Sequence, residues 1–259
     1  MEPTLHIAIN AARGAGDIIM RHAEQLDRIK ISEKGKHDYF TEVDVKAEQF
    51  ILQTLLKAYP DHGFIAEESG IQNPDAECVW LIDPLDGTSN YIHGFPTYAV
   101  SIAMLFKGKL EHGVIYDPIK HECFAASRGR GARLNDRRIR VSKRKELSGA
   151  MIGCGQSIQS GKRAAQHGFS IEPLIEQTPC IRRVGSAALE LAYVACGRLD
   201  GFFEFSLKPW DVAAGCLIVQ EAGGFVSHPD GSDNFIKTGC VVASTPKIFD
   251  AFKGAFKKS

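Results

Sequence analysis

The residues with the most chemistry in this chain lie between Trp80 and Tyr91, in the run WLIDPLDGTSNY. Asp83 and Asp86 are separated by Pro84 and Leu85, and Gly87 and Thr88 follow at once. Pro84 has no N–H to give a sheet ladder, so an apolar strand through CVWLI is expected to stop at Asp83. Asp83 then stands at the carboxyl end of a strand, where open α/β sheets collect ligands. The three-residue step lets both carboxylates face one side, with the carbonyl of Leu85 between them. Two carboxylates and a carbonyl are hard oxygen donors and suit Mg²⁺. Gly87 tolerates a positive φ or a close backbone approach, Thr88 adds a hydroxyl, and their N–H groups can hold a phosphate. The same letters also spell an ordinary turn, since Asp-Pro and Asp-Gly are common turn formers. Alone, the run leaves both readings open.

Other polar positions share that ambiguity. Lys34 opens the stretch KGKHDYFTEVDVKAEQF, in which Thr41 or Asp44 can cap a helix running through Ala47, Phe50, Ile51 and Leu55 to Pro60. Glu67 and Glu68 end the short apolar run FIAEE, and adjacent glutamates are usually solvated. Gly185-Ser186 reads as a strand-to-helix turn with a natural N-cap. Glu204 ends the strand DGFFEF. Asp211 falls in the first turn of the helix PWDVAAGCLIVQEAGG, with Gly223 closing it, and a carboxylate there is stabilised by the macrodipole.

The elements that must position these groups follow from periodicity. An amphipathic helix is expected from Pro3 to about Asp27, with Leu5, Ala8, Ala12, Ala15, Ile19, Ala23 and Leu26 on one face. After the central run, YAVSIAMLF, HGVIYD, ECFAAS and ARLN read as an antiparallel meander. From Leu147 strands alternate with helices: AMIGC, a polar helix from about Ser160, IRRVG, SAALELAYVACG, DGFFEF, the Asp211 helix, FVSH, GCVVAS and a terminal helix. The change of pattern predicts an N-terminal α+β part over residues 1–145 and a C-terminal α/β part over 146–259.

Composition bounds the partners. The 259 residues carry 31 basic and 31 acidic side chains, so no global charge selects nucleic acid or anionic membrane. One local exception is the basic segment Arg128 to Lys145, which reads as a solvated hairpin or as a surface for an RNA, transcription or acidic protein partner. No apolar run reaches membrane-spanning length and no signal pattern opens the chain, so a cytoplasmic protein is expected. The seven cysteines form no C-x-x-C pair and read as reduced core residues.

Three segments in order, FIAEE, WLIDPLDGTSNY and PWDVAAGCLIVQEAGG, resemble the inositol monophosphatase family of lithium-sensitive, Mg²⁺-dependent phosphomonoesterases, and the likeness spans nearly the whole chain. The resemblance implies a layered αβαβα sandwich of the inositol monophosphatase and fructose-1,6-bisphosphatase type, usually a homodimer. It implies two or three Mg²⁺ ions held by Glu67, Asp83, the Leu85 carbonyl, Asp86 and Asp211. Thr88 would orient the attacking water with Asp44 as its partner, Glu67 would stand on the water's side, and Lys34 would belong to a mobile loop. Gly87 and Thr88 would cradle phosphate, and Arg182, Gly185, Ser186, Ala187 and Glu204 would face substrate together with Asp86 and Asp211. Li⁺ would inhibit at the Asp211 position. The implied reaction is hydrolysis of a small phosphorylated polyol, foremost myo-inositol 1-phosphate. Alternatives on related scaffolds are fructose-1,6-bisphosphate, 3′-phosphoadenosine 5′-phosphate, NADP and histidinol phosphate. The stretch GCGQSIQ, Gly153 to Gln159, departs from the family where members line the sugar pocket, which leaves the substrate open. Four acids at one place would repel unless cations neutralised them, which is an independent ground for metal.

Overall fold

The computed structural model describes residues 2–35, 38–155, 162, 164–178 and 180–258. The first helix, α1 (Pro3–Ala23), buries Leu5, Ala8, Ala12, Ala15 and Ile19. It ends four residues before the expected Asp27, and a 3₁₀ turn follows at Leu26–Arg28. Arg21 and His22 reach back to the carbonyls of Asp17 and Ile18, satisfying backbone acceptors of the last turn. The polar stretch that follows, for which periodicity predicts no element, folds as a hairpin of β1 (Ile31–Gly35) and β2 (Asp38–Thr41). Thr41 then caps α2 (Glu42–Ala58).

One sheet has eight strands: β3 (Gly63–Ala66), β4 (Gly70–Gln72), β5 (Cys78–Asp86), β6 (Ala99–Phe106), β7 (Lys109–Asp117), β8 (Glu122–Ser127), β9 (Gly131–Leu134) and β10 (Arg137–Arg138). Their order is β10-β9-β8-β7-β6-β5-β3-β4, antiparallel except for β3 beside β5. The predicted meander is β6 to β9. Strand β5 does not stop at Asp83 as expected. Asp83 pairs with Ser101 and Asp86 with Ala99, so three steps on β5 answer two on β6. That extra residue is a β-bulge, which leaves one position out of the ladder and so accommodates Pro84 without a lost donor. A short helix, α3 (Thr88–Ile92), begins directly after it.

The second sheet runs β13-β11-β14-β16-β15, from β11 (Met151–Cys154), β13 (Cys180–Arg182), β14 (Gly201–Glu204), β15 (Phe225–Ser227) and β16 (Val241–Ser244). A short pair, β12 (Phe169–Ser170) with β17 (Lys257–Lys258), lies apart. Short helices α4 (Glu172–Gln177) and α7 (Phe235–Thr238) join α5 (Ala187–Ala195), α6 (Pro209–Glu221) and α8 (Pro246–Gly254). The polar helix expected from about Ser160 falls partly outside the described residues; Lys162 and residues 164–166 are helical.

Strand alternation sorts the core into layers. Trp80 and Ile82 of β5 face α1 and α2, while Leu81 faces α5 and α6. Phe202 of β14 joins that middle layer, whereas Phe203 points out toward α8. Helices α5 and α6 are therefore buried between two sheets, which explains why they are apolar on nearly every side. The result is a layered αβαβα sandwich. No helix among the described residues is long and apolar enough to cross a membrane.

Candidate active site

Parallel pairing of β3 with β5 sets the first two acids side by side. Ala66 is opposite Ile82, and the next residue, Glu67, donates its N–H to the Ile82 carbonyl at 3.1 Å. Asp83 follows on β5, 2% exposed, its Oδ1 accepting the Leu85 N–H at 2.9 Å and so closing the bulge. Asp86 resumes the ladder and accepts from the Ser186 hydroxyl at 2.6 Å and the Ala188 N–H at 2.7 Å, which ties the head of α5 to the bulge. Asp211 accepts the Lys208 N–H at 2.8 Å at the head of α6, so its helix-capping role is real.

Capping does not exhaust these acids. Burial raises the Asp83 carboxyl well above the usual carboxylate range, and Glu67, Asp86 and Asp211 each push it further. Burial also raises Asp211, with Asp86, Glu67 and Glu204 adding to it beyond what the Lys208 N–H offsets. Asp86 is pushed up to about 6 by burial, held down by its bonds from Ser186 and α5. Asp83 is buried and Glu67, Asp86 and Asp211 are half-buried, and together they form one acidic group whose charges act on Asp83 and Asp211.

Beside it, Thr88 Oγ1 lies 2.9 Å from the Leu85 carbonyl and 3.1 Å from Asp44 Oδ1. Its single proton serves one of these acceptors at a time. Asp44 is buried, and its other oxygen accepts from the Thr41 N–H at 2.8 Å and the Thr41 hydroxyl at 2.6 Å. One Asp44 oxygen thus caps α2 and the other meets the Thr88 hydroxyl. Gly87, at φ +97°, makes the turn between bulge and helix, where an added Cβ would also press on the Thr97 carbonyl at 3.0 Å.

The substrate-side candidates divide. Ser186 caps α5 and holds Asp86, and Ala187 starts that helix. Gly185 is tied to the central run by Asn90, whose Nδ2 reaches the carbonyls of Thr97 (2.7 Å), Val184 (3.0 Å) and Gly185 (3.3 Å). Glu204 is buried and acts electrostatically on Asp211. Gly155 lies against it so closely that a Cβ would fall 1.7 Å from Glu204 Oε1. Arg182 is exposed at the end of β13 and donates to the neighbouring Ile181 carbonyl; no bond links it to the four acids among the described residues. Lys34 has its backbone in β1, but its side chain, like Gln156–Gln159 of the divergent stretch, lies outside the described residues.

Two further acids escaped the sequence reading. Glu48 of α2 is fully buried and accepts from the N–H groups of Glu68 (2.8 Å) and Ser69 (2.6 Å). Glu190 of α5 is buried and accepts the Val184 N–H at 2.6 Å; burial raises its carboxyl well above the usual range. Each sits on the apolar side of its helix, and that position was the available signal.

The donor set decides what the site can hold. Among the described residues no three His, Cys, Asp or Glu side chains already close at ligating distance on one point. Four acids and a backbone carbonyl nevertheless offer oxygen alone, and their repulsion is relieved by a hard divalent cation, so the residues fit Mg²⁺. Thiol chemistry does not fit, since burial pushes the Cys154 thiol up to about 12, with Glu190 and Glu204 adding to it. His93 is exposed and its Nδ1 lies 2.8 Å from the Ser89 carbonyl.

The model of the inositol monophosphatase family matches residues 1–257. The chain is 51% identical over 256 residues to the Nus factor SuhB of Pseudomonas aeruginosa, covering 97% of this chain and 94% of the relative. It is 46% identical over 252 residues to the Nus factor SuhB of Escherichia coli K12, with the same coverage. The solved extragenic suppressor protein suhB from Bartonella henselae superposes with a TM-score of 0.92 at 41% identity, over 98% of both chains. The inositol monophosphatase from Anabaena (Nostoc) does so with a TM-score of 0.84 at 38% identity, over 97% of this chain and 94% of that one.

Proposed function

This chain belongs to the inositol monophosphatase family, with its Mg²⁺-dependent phosphomonoesterase chemistry, and we propose that it hydrolyses myo-inositol 1-phosphate to inositol and phosphate. One observation carries the reading: at a strand end that adjoins the Thr88–Asp44 pair, Glu67, Asp86 and Asp211 all raise the buried Asp83, and Asp86 and Glu67 raise Asp211. Glu67, Asp83, Asp86, Asp211 and the Leu85 carbonyl would hold Mg²⁺. Bound there, the metal supplies positive charge against the phosphoryl oxygens and lowers the pKa of a bound water. Thr88, donating to Asp44 Oδ1, keeps its lone pairs for a proton of the attacking water. Asp44, raised above the usual range by burial, is suited to accept that proton through the hydroxyl. The N–H groups of Gly87 and Thr88 orient the phosphate. Glu204, Arg182 and the Gly185–Ala187 turn face the polyol. The same reading carries a homodimer, a cytoplasmic location and inhibition by Li⁺.

Phosphate release from a panel of phosphomonoesters, with and without Mg²⁺, tests it. Inositol 1-phosphate should be the best substrate, turnover should need Mg²⁺ in the millimolar range (about 1 mM), and a chelator should remove it. Full activity after exhaustive chelation would sink the metal chemistry, and a clear preference for a bisphosphate or nucleotide would move the substrate.

A second reading concerns the basic segment. Arg128, Arg130 and Arg144 pair with Glu111, Glu2 and Asp200, but Arg133, Arg137 and Arg138 stand exposed on the β9–β10 hairpin. Arg13, Arg130, Arg133 and Arg138 rim a cavity of about 620 Å³ that is lined by no Phe, Tyr or Trp among the described residues, with His6 its one ring. Such a face would take phosphates rather than stack bases, and the relatives' name of Nus factor favours a role besides catalysis. We infer that this face contacts RNA. Binding of single-stranded RNA should fall steeply with salt and weaken in Arg133→Ala/Arg138→Ala while phosphatase activity holds; equal binding by wild type and variant removes the reading.

A further inference from the structure

The buried face of α2 carries two carboxylates, Asp44 and Glu48, one helical turn apart. Four residues of separation place them on one side of the helix, next to the apolar ridge of Val43, Ala47, Ile51 and Leu55. Asp44 has its task in the Thr88 pair. Glu48 spends its two oxygens elsewhere, yet it is as deeply buried as Ile51 and Leu55 on the same helix.

Its two oxygens are spent on consecutive backbone N–H groups, Glu68 to Oε2 and Ser69 to Oε1. Those amides belong to the three-residue link between β3 and β4, which opens with Glu67. On its N-terminal side Glu67 is fastened to β5 through the Ile82 carbonyl. On its C-terminal side the link is fastened by Glu48, through the Glu68 and Ser69 amides. A carboxylate that accepts two backbone N–H bonds is a rigid, charge-assisted anchor. One helix thus suspends both sides of the proposed water site: Asp44 with Thr88, and, one turn later, the link that carries Glu67.

We propose that Glu48 is a positioning residue for Glu67, setting how that carboxylate meets a divalent cation. The inference rests on the reading of Glu67 as a metal ligand given above. Glu48 makes no contact with metal or substrate in this scheme; it acts through the Glu68 and Ser69 amides.

Glu48→Gln keeps the shape but turns one acceptor into an NH₂ group facing an N–H donor, so one of the two anchors is lost. The readout is the Mg²⁺-induced rise in melting temperature of the substrate-free protein, because an ion that binds only the folded state raises stability by mass action. The half-saturating Mg²⁺ concentration should increase about tenfold or more, the lower end of what losing a group that orients a metal ligand costs in affinity. At saturating Mg²⁺ the KM for the phosphate ester should stay near wild type. Glu67→Gln should weaken the Mg²⁺ response at least as much, and adding Glu48→Gln to it should weaken it no further, since the two act as one unit.

A Glu48→Gln protein with a lower melting temperature but an unchanged Mg²⁺ response, beside a Glu67→Gln protein that has lost that response, overturns the proposal and leaves the metal site standing. An unchanged response in Glu67→Gln itself overturns the reading of Glu67, and the role of Glu48 falls with it. Hydrogen exchange on the wild-type protein needs no variant: the Glu68 and Ser69 amides should be protected, and free exchange at both would overturn the anchor.

Discussion

Asp83→Asn is expected to lower kcat on inositol 1-phosphate by about 10³-fold or more, in a protein that still folds. The bond that shapes the bulge survives the change, because the asparagine oxygen can accept the Leu85 N–H as Asp83 Oδ1 does at 2.9 Å. What disappears is a negative charge buried beside Glu67, Asp86 and Asp211. Without a cation that charge is a liability, so the substrate-free, metal-free variant should melt no lower than wild type. With Mg²⁺ the order should reverse, since the variant would lose much of the metal-induced rise in melting temperature. Turnover near the wild-type rate would reduce Asp83 to a turn former.

The second large effect is expected at the Thr88–Asp44 pair. Thr88→Ala and Asp44→Asn should each lower kcat by about 10²–10⁴-fold, the range for a positioned proton-transfer group. Asp44→Asn can keep the cap: its oxygen still accepts from the Thr41 N–H and hydroxyl. Its NH₂ then faces Thr88, which must accept there and send its own proton to the Leu85 carbonyl, 2.9 Å away. One of the hydroxyl lone pairs meant for water is then engaged and its proton is turned away from position 44 in the relay, while α2 loses little stability, at most about the 1 kcal/mol of a cap. The double variant should be scarcely slower than either single one, and KM should move little. Multiplicative losses in a double-mutant cycle would dissolve the dyad. A fall in melting temperature with kcat unchanged would leave Asp44 as a cap alone.

Much of the architecture was legible because its periodicities are clean. The strand-length apolar runs of β6 to β8 and the unbroken apolar character of α5 and α6 follow from facing a core on both sides. The central run was legible as chemistry because Asp83, Leu85, Asp86 and Thr88 are close in sequence as well as in space. The β1–β2 hairpin was not, since residues 31–41 carry no apolar alternation and the pairing is local backbone bonding. The end of β5 was misplaced because Pro84 signals a missing donor, and only the partner strand reveals a bulge that makes the donor unnecessary. Glu67 looked solvated beside Glu68; the buried partner of that link, Glu48, lies nineteen positions upstream of Glu67 on another element.

The burial of α6 between two sheets has a consequence for how this protein comes into being. Asp211 begins that helix, and the helix packs on strands of both sheets, drawn from residues 63–138 and 151–244. Three of the four acids leave the ribosome well before the fourth, and no local segment brings them together. Closing such distant pairings costs chain entropy before any contact repays it, so they form late. Until α6 docks, Glu67, Asp83 and Asp86 stand without Asp211, the fourth acid of the site. Competence to bind a cation at all four acids is therefore a property of the finished molecule, and it arrives with the last layers rather than accumulating along the way.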